Sequence, residues 1–367
     1  MRERVLIIMP SWVGDVVMAT PALRMLRDAL PDAHVTAGLR AGLGELLEGS
    51  TLIDALLTID ARGLAGPLRS GHLIRRDRFH AALLLTNSFS TALAAWLGLV
   101  PRRVGYARDG RGLLLTDPLV APREGGRWLV VPAVRYYAHA AQAFLGGPRE
   151  LTYLPPQSRT HAPLGIAEGT HLELGMSPIQ ESRARAVLQR GGVRPGEPYA
   201  ILNPGGNNPA KRWPPERFAR LADHLAGHHR MRVLINGSPG ERDLVRKIAD
   251  ACRTPAVCLP ELGMTLGALK GIVRGASLMV TNDTGPRHIA AAFGVPMVSL
   301  FGPTDPRWTT IPVAALPDGR PSEHIVIAHR DIPVGQLSND DPERARVDRI
   351  SQGEVLEAVD ALLGEVR

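Results

Sequence analysis

The sequence predicts an α/β protein of two Rossmann-like domains, each a parallel sheet flanked by helices. Short apolar runs alternate with amphipathic stretches, which is the order expected of repeated strand–helix–strand units. This alternation is interrupted over residues 151–198, a stretch rich in proline, glycine and histidine, and then begins again. The 367 residues, 44% of them apolar, are enough for two domains that each bury a core.

In the first half, Val5–Met9 reads as a buried parallel strand because its apolar run shows no polar alternation. Asp15–Leu30 follows as a helix, since its apolar residues recur at helical spacing. The same patterns predict strands at His34–Leu39, Ala55–Ile59 and Ala81–Thr86, and helices at Gly42–Glu48, Pro67–Arg75 and Ser88–Leu97.

The second half repeats the pattern after a helix predicted at Pro178–Arg190. Strands are predicted at Ala200–Asn203, Arg232–Asn236, Leu278–Thr281 and Met297–Phe301, and helices at Pro214–His228, Gly240–Cys252, Thr265–Arg274, Gly285–Phe293 and Ser351–Leu363. We therefore predict one domain over residues 1–165, a second over 166–350 with 166–198 as the linker region, and a closing helix over 351–367.

Composition and motif searches exclude several classes of protein. The two cysteines, Cys252 and Cys258, are too few for a disulfide framework or a thiolate zinc site, and they favour a reducing, cytoplasmic setting. We find no secretory signal and no apolar run near the ~20 residues of a membrane span. The 12 histidines are scattered and no D-x-D or H-E-x-x-H pattern occurs, so no metal site is predicted.

The basic charge is concentrated in the first half, where residues 1–165 hold 19 arginines against 13 acidic residues. Such an excess suggests an anionic partner: a nucleic acid, an anionic membrane surface or a phosphorylated substrate. An arginine-rich composition with an ordinary solvated surface explains it as well. The arginines are not interleaved with aromatic residues and no RRM, KH or zinc-finger pattern is present, so no nucleic acid is expected.

The candidate chemistry lies in three strand-to-helix loops, because ligands of open α/β sheets bind outside the carboxyl ends of strands. In the first loop, Pro10–Asp15, Gly14 permits a tight turn. Asp15 is either the N-cap of the following helix or a general base. Because a carboxylate repels phosphate, this loop is not predicted to be a phosphate cradle.

The second loop, Asn203–Pro214, is suited to an anion. Its glycines free backbone N–H groups, and Lys211 and Arg212 add positive charge at the same place. An ordinary loop with solvated basic residues is the alternative, although Lys211 is one of only three lysines in the chain.

The third loop, Thr281–His288, opens a helix whose free N–H groups can bind a diphosphate. Thr284 adds a hydroxyl, while Asp283 either accepts hydrogen bonds from sugar hydroxyls or caps the helix. His288 lies one turn into the helix, either near the same phosphates or as a surface histidine.

Five stretches occur in one order along nearly the whole chain: PSWVGDVVMATPALRML, LTNSFSTALAAWLGLVPRRVGY, NPGGNNPAKRWPPERFARLADHL, INGSPGERD and VTNDTGPRHIAAAFGVPMVSLFGPTDP. In combination they resemble the ADP-heptose:lipopolysaccharide heptosyltransferases, glycosyltransferase family 9. The resemblance implies a GT-B fold, with two Rossmann-like domains facing across a cleft. It also implies an inverting, metal-independent enzyme without a cofactor, whose donor substrate is ADP-L-glycero-β-D-manno-heptose.

The resemblance also implies roles for individual residues. Asp15 matches the catalytic base, Lys211 a ligand of the diphosphate, and Asp283 a ligand of the heptose. The remaining donor-binding residues implied are Thr284 and Gly285 at the diphosphate, His288 in the same helix, Glu241 at the ribose, Met264 at the adenine, and Asn207. The acceptor-binding residues implied are Ser11, Trp12, Asn87, Arg102 and Arg103.

The acceptor implied is a heptose of the lipopolysaccharide inner core, carried on an anionic glycolipid of the lipid A–Kdo–heptose type. The enzyme is then expected in the cytoplasm, peripheral at the cytoplasmic face of the inner membrane. The basic front half becomes a candidate docking face for that acceptor, formed by Arg75, Arg76, Arg78, Arg102, Arg103, Arg108 and Arg111.

Three alternatives remain. A family member with another acceptor would add the first heptose, act later in the core, or modify a protein. A GT-B protein that has lost catalysis would bind the nucleotide only, although the presence of Asp15, Lys211 and Asp283 argues against loss. A GT-B epimerase is the third. The sequence departs from many relatives in its Asn-rich 203–209 loop and in lacking cysteine over 312–348, so acceptor choice stays open.

Overall fold

The computed structural model describes residues 2–329, 331 and 337–364. The chain divides into two compact units. The first comprises the chain up to Gln157 together with Ala162–Gly175 and Trp308–Thr310, and the second comprises Ser158–His161, Met176–Arg307 and the chain from Ile311.

The first unit extends past the boundary that the sequence predicts at residue 165. Glu173 packs there: its backbone N–H donates to Thr20 Oγ1 at 2.9 Å, and its carboxylate pairs with Arg24 at 2.6 Å. These contacts hold the segment before Met176 on the first unit. The chain therefore enters the second unit after Gly175.

The sheet of the first unit has six parallel strands in the order β3-β2-β1-β4-β5-β6. Its strands are β1 (Arg4–Ile8), β2 (His34–Leu39), β3 (Ala55–Thr58), β4 (Ala81–Leu84), β5 (Arg102–Tyr106) and β6 (Asp117–Leu119), with a short antiparallel pair β7 (Arg123–Glu124) and β8 (Arg127–Trp128). The predicted strands are confirmed, while β5 and β6 were not predicted because RRVGY and DPL are short and polar.

The helices of the first unit correct the prediction in two places. They are α1 (Val13–Met18), α2 (Thr20–Ala29), α3 (Gly66–Asp77), α4 (Phe89–Leu97) and α5 (Ala133–Phe144). The single helix predicted over Asp15–Leu30 breaks at Ala19, where Pro21 in the first turn of α2 cannot continue the hydrogen-bond ladder. The helix predicted over Gly42–Glu48 is one 3₁₀ turn, Leu43–Leu46.

The second unit repeats the architecture with six parallel strands in the order β11-β10-β9-β12-β13-β14. Its elements are α6 (Pro178–Arg190), β9 (Tyr199–Asn203), α7 (Pro215–Gly227), β10 (Arg232–Ile235), α8 (Arg242–Ala251), β11 (Val257–Cys258), α9 (Leu266–Arg274), β12 (Leu278–Asn282), α10 (Gly285–Ala292), β13 (Met297–Phe301), β14 (Glu323–Ile327) and α11 (Gln352–Leu363). The predicted strands and helices of this half are confirmed, apart from shifts at their ends.

The core of the second unit explains why the final helix belongs to it. Trp213 is buried against Phe218 with ring centroids 5.2 Å apart, and its indole N–H donates to the carbonyl of Ile350 at 2.9 Å. Val355 and Val359 of α11 join the same cluster. A Ser351 capping box starts α11 directly after this contact.

The two sheets have the same doubly wound order, which places one topological switch point in each. In the first unit it lies between β1 and β4, and in the second between β9 and β12. At such a point the two loops leave in opposite directions and open a crevice for a ligand. Among the described residues, no helix is both long and apolar enough to cross a membrane.

Candidate functional site

Asp15 lies at the switch point of the first unit, in the first turn of α1, which follows β1. Trp12, not Asp15, is the N-cap residue, so the capping alternative for Asp15 is excluded. The Tyr137 hydroxyl, on α5, donates to Asp15 Oδ1 at 3.0 Å. Burial, followed by the nearby Asp15 carboxylate, raises the pKa of Tyr137 well above its usual value, so the hydroxyl stays protonated and remains a donor.

Asn87 follows β4 on the other side of the same switch point. Its Oδ1 accepts hydrogen bonds from the Tyr136 hydroxyl at 3.0 Å and from Arg111 Nη2 at 3.5 Å. Tyr136 stacks on Tyr106 with ring centroids 3.8 Å apart. Asp15, predicted as the base, and Asn87, predicted to bind the acceptor, are therefore each oriented by one of two consecutive tyrosines of α5. Sequence reasoning missed these tyrosines because it predicted no helix there.

Arg102 and Arg103 do not join this group. Arg102 is the first residue of β5 and pairs with Ala81, the first residue of β4, so both arginines lie at the amino edge of the sheet. A five-residue strand separates the two edges by about 13 Å. Arg102 donates to the carbonyl of Phe144 at 2.8 Å, and Arg103 donates to that of Leu114 at 2.7 Å. Both arginines thus bond backbone carbonyls at the edge away from Asp15, and the acceptor contact for them stays a prediction.

The predicted basic docking face is divided by the fold. Arg75, Arg76 and Arg78, at the end of α3, precede β4 and so lie at its amino edge. Arg111 is fully buried, donates to the carbonyl of Tyr106 at 2.8 Å, and has its pKa lowered to about 10 by burial. Arginines that satisfy the protein's own carbonyls account for part of the basic excess, which weakens it as a sign of an anionic partner.

Lys211 and Asp283 meet at the switch point of the second unit. Lys211 Nζ lies 3.0 Å from Asp283 Oδ2, and the carboxylate side chain is 7% exposed. Burial opposes ionisation of Asp283, but Lys211, Arg287 and His288 outweigh it and lower the pKa of the carboxyl. The second and third sequence loops, 72 residues apart at this contact, thus form one polar site.

Two side chains from neighbouring segments, Asn282 and Glu241, form hydrogen bonds with the backbone of the loop after β9. Asn282, which ends β12, donates from Nδ2 to the carbonyls of Pro204 at 2.8 Å and Gly205 at 3.1 Å. Glu241 Oε1 accepts from the Gly206 N–H at 2.8 Å. A Cβ on Gly205 would collide with the Glu241 carboxylate, so a larger residue here would displace that side chain from the Gly206 N–H. Glu241, predicted to contact a ribose, has at least this second role in shaping the loop.

The other predicted donor residues share this edge of the sheet. Thr284 is the N-cap residue of α10, and Gly285 opens the helix, whose first N–H groups have no helical acceptor. Asn207 is exposed in the loop after β9. Met264 precedes α9 and follows β11, half-buried. Within the described residues, no hydrogen bond or ion pair joins Asn207 or Met264 to the Lys211–Asp283 pair.

His288 is buried inside α10, so the surface alternative is excluded. Neither ring nitrogen has a hydrogen-bond partner of normal geometry among the described residues. Burial, with Arg287 adding to it, lowers the pKa of His288 to about 4. The imidazole is therefore neutral at physiological pH, and it can serve a phosphate as a hydrogen-bond donor but not as a cation.

His288 gives a pH prediction. Because its pKa in the folded chain, about 4, lies below the ordinary 6.5, the unfolded chain binds the extra proton between these values. Its contribution to stability is complete above pH 6.5 and is lost as the pH falls toward 4. We expect the free energy of unfolding, measured by urea titration, to fall over this window in both the wild type and His288→Asn. The fall should be larger in the wild type by about 3 kcal/mol.

The exposed His72→Asn on α3 is the matched control and should keep the wild-type slope. Equal slopes in the wild type and His288→Asn would show that His288 does not bury a neutral ring.

Two doubly wound domains, each with a polar cluster at its switch point, have the architecture of GT-B glycosyltransferases. The model of glycosyltransferase family 9 (heptosyltransferase) matches residues 68–317. The lipopolysaccharide heptosyltransferase 2 of Salmonella typhimurium is 30% identical over 314 residues, 83% of this chain and 84% of the relative.

Further comparisons agree. The lipopolysaccharide heptosyltransferase 1 of Pseudomonas aeruginosa is 36% identical over 326 residues, 83% of this chain and 80% of the relative. The solved ADP-heptose lps heptosyltransferase II of E. coli superposes with a TM-score of 0.75 at 24% identity and covers 99% of this chain and 98% of its own. This chain therefore belongs to glycosyltransferase family 9 and is a glycosyltransferase with the GT-B fold.

Proposed function

We propose that this enzyme transfers L-glycero-D-manno-heptose from ADP-heptose to a heptose of the lipopolysaccharide inner core. The Lys211–Asp283 pair carries this proposal, because it sets a cation and a carboxylate together at the crevice where an open sheet receives a nucleotide. The cation suits a diphosphate, and the carboxylate suits sugar hydroxyls. The heptosyltransferase 2 relatives support the choice of sugar.

The reaction proposed is a single displacement with inversion. Asp15 accepts the proton of an acceptor hydroxyl, whose oxygen forms a bond to the anomeric carbon of the heptose. The bond from that carbon to the diphosphate oxygen breaks, and ADP leaves with its electron pair. Tyr137 holds the Asp15 carboxylate in place through its 3.0 Å hydrogen bond. This hydrogen bond uses one lone pair of Asp15 Oδ1 and fixes the orientation of the carboxylate.

Charge that develops on the departing ADP needs stabilisation. Lys211 supplies it: its side chain is 20% exposed, so its ammonium group can turn from Asp283 toward a bound diphosphate. The unsatisfied N–H groups at the start of α10 supply further donors. When a diphosphate binds, Lys211 is shared with it, and the released Asp283 oxygen becomes available to the sugar.

A second acceptor class competes with the first. The 36% identity to a heptosyltransferase 1 favours an enzyme that adds a heptose to an acceptor carrying none. The deciding experiment incubates the enzyme and ADP-heptose with Kdo-lipid A, with its monoheptosyl form and with its diheptosyl form, and follows products by mass spectrometry. Turnover of the monoheptosyl acceptor alone is the expected result. Turnover of Kdo-lipid A alone would establish the second candidate, and ADP binding without any turnover would indicate a nucleotide-binding protein.

We also propose that the first unit docks on the cytoplasmic face of the inner membrane, where this acceptor resides. Its loops at the carboxyl edge expose apolar side chains: Trp12 after β1 is 64% exposed, Leu64 after β3 is 101% exposed and Leu113 after β5 is 97% exposed. Arg62 and Arg108 lie in the same loops, although Arg62 is already paired with Asp60 at 2.7 Å and the Arg108 guanidinium lies 4.1 Å from the Trp128 ring centroid, so the exposed apolar side chains carry this proposal. The apolar tips and the bases therefore share the edge that carries Asp15.

Replacement of Leu64 and Leu113 by glutamate tests this docking. We expect the double variant to bind vesicles containing anionic phosphatidylglycerol about tenfold more weakly than the wild type in co-sedimentation, because two apolar anchors are lost and two like charges are added. Ile179→Glu, at an exposed position of α6 in the second unit, is the control and should bind as the wild type does. Vesicle binding that is unaltered in the double variant would exclude these loops from the membrane contact.

A further inference from the structure

A histidine–carboxylate cluster in the second unit lies apart from the donor site, where the end of α7 meets α11. His224 is in the last turn of α7, His229 follows that helix, and Asp360 lies on α11. Asp360 Oδ1 lies 2.8 Å from His224 Nε2 and 2.7 Å from His229 Nε2. The His229 side chain is 1% exposed and the other two are partly exposed, so the cluster is anchored at one end and accessible at the other.

We propose that these three residues bind one divalent transition metal ion, with Zn²⁺ as the preferred ion. One ligating atom from each residue, His224 Nε2, His229 Nε2 and Asp360 Oδ1, already lies within 4.8 Å of both others. Two imidazole nitrogens and a carboxylate oxygen are a ligand set that zinc accepts, with water completing the tetrahedron.

The geometry needs little change. Zinc bonds of about 2.1 Å place tetrahedral ligand atoms about 3.4 Å apart, so His224 Nε2 has to withdraw from Asp360 Oδ1 by about 0.6 Å and His229 Nε2 by about 0.7 Å. The two nitrogens, which lie within 4.8 Å of each other, have to reach the same spacing. In the hydrogen-bonded form each Nε2 donates its proton to the carboxylate. On binding, the lone pair of each Nε2 faces the ion, and the ring proton moves to Nδ1.

The position of the cluster indicates a structural role. Helix α7 starts after the donor loop at the carboxyl edge of the sheet and runs back, and the chain enters β10 at Arg232, at the amino edge. His224 and His229 therefore lie at the opposite edge from Lys211. A metal ion there links the end of α7 to α11, through residues 131 positions apart in the sequence. It stabilises the packing of α11 against the hydrophobic core. It adds no step to the transfer reaction.

The test uses the full chain, purified without a histidine tag and treated with a chelator. Calorimetric titration with ZnCl₂ should give one ion per chain, and CoCl₂ should produce the visible absorption of a four- or five-coordinate site. His224→Ala and Asp360→Asn should each weaken zinc binding at least about tenfold and remove the zinc-dependent rise in Tm.

His228→Ala is the matched control. His228 is exposed and its ring lies 4.9 Å from that of His229, but it is outside the ligand set. This variant should bind zinc as the wild type does. The proposal is overturned if the wild type shows no saturable 1:1 binding, or if His224→Ala and Asp360→Asn bind zinc as tightly as His228→Ala. The cluster would then be a hydrogen-bonded clasp between two helices.

Discussion

Asp15→Asn should lose heptose transfer by ~10²–10⁴-fold in kcat while its affinity for ADP stays within about twofold of the wild type. Asparagine has the shape of aspartate and still accepts the hydrogen bond from Tyr137, but it cannot take a proton from the acceptor. The measurements are initial rates of ADP release with saturating acceptor and calorimetric titration with ADP. Asp28→Asn, on the exposed face of α2, is the matched control and should retain the wild-type rate.

Tyr137→Phe separates the positioning of the base from its chemistry. The buried ring remains while the 3.0 Å hydrogen bond is lost, so we expect a lower kcat than in the wild type but a higher one than in Asp15→Asn. A single displacement driven by Asp15 also requires that both variants keep ADP affinity. If Asp15→Asn retained more than about a tenth of the wild-type rate, Asp15 would not be the base.

Lys211→Ala should weaken ADP binding about ten- to hundredfold, the range of one or two hydrogen bonds from a charged donor. The same change removes the ion-pair partner of Asp283, which is almost completely buried. We therefore also expect a loss of about 3 kcal/mol in the free energy of unfolding, measured with urea. Lys247→Ala, an exposed lysine of α8, is the control for both quantities.

The double variant Lys211→Ala/Asp283→Asn distinguishes ligand binding from fold stability. Removing the unpaired carboxylate should restore most of the lost stability, because no charge is then left buried without its partner. Affinity for ADP should stay low, since the diphosphate still lacks its ammonium ligand. If the double variant bound ADP as the wild type does, the role of Lys211 would be confined to the ion pair.

Much of the fold follows from local pattern. Apolar runs such as Leu278–Thr281 are short, buried and followed by a polar loop, so they predict a strand and the loop at its carboxyl end without reference to the rest of the chain. Asp15, Lys211 and Asp283 were found in this way. Each is placed by the strand directly before it, and strand order affects only which loops become neighbours.

Local pattern failed where a segment has too little periodicity. Strand β5 has the sequence RRVGY, in which two arginines obscure the strand pattern. Arg102 and Arg103 are predicted from the resemblance as acceptor-binding residues of a basic docking face. Only the pairing of β5 with β4 shows that they begin a strand at the edge away from Asp15. Charge counts cannot detect this, because a count does not show whether a guanidinium faces solvent or a backbone carbonyl.

By itself, the sequence determined that this chain is an α/β protein with two Rossmann-like halves, and which loops carry its polar chemistry. The tertiary structure decided which of those side chains meet. Tyr137 with Asp15, Lys211 with Asp283 and Asp360 with His229 join residues 122, 72 and 131 positions apart. Such contacts depend on strand order and helix packing, which are long-range properties set by burial of the whole core and not by the pattern of any one segment.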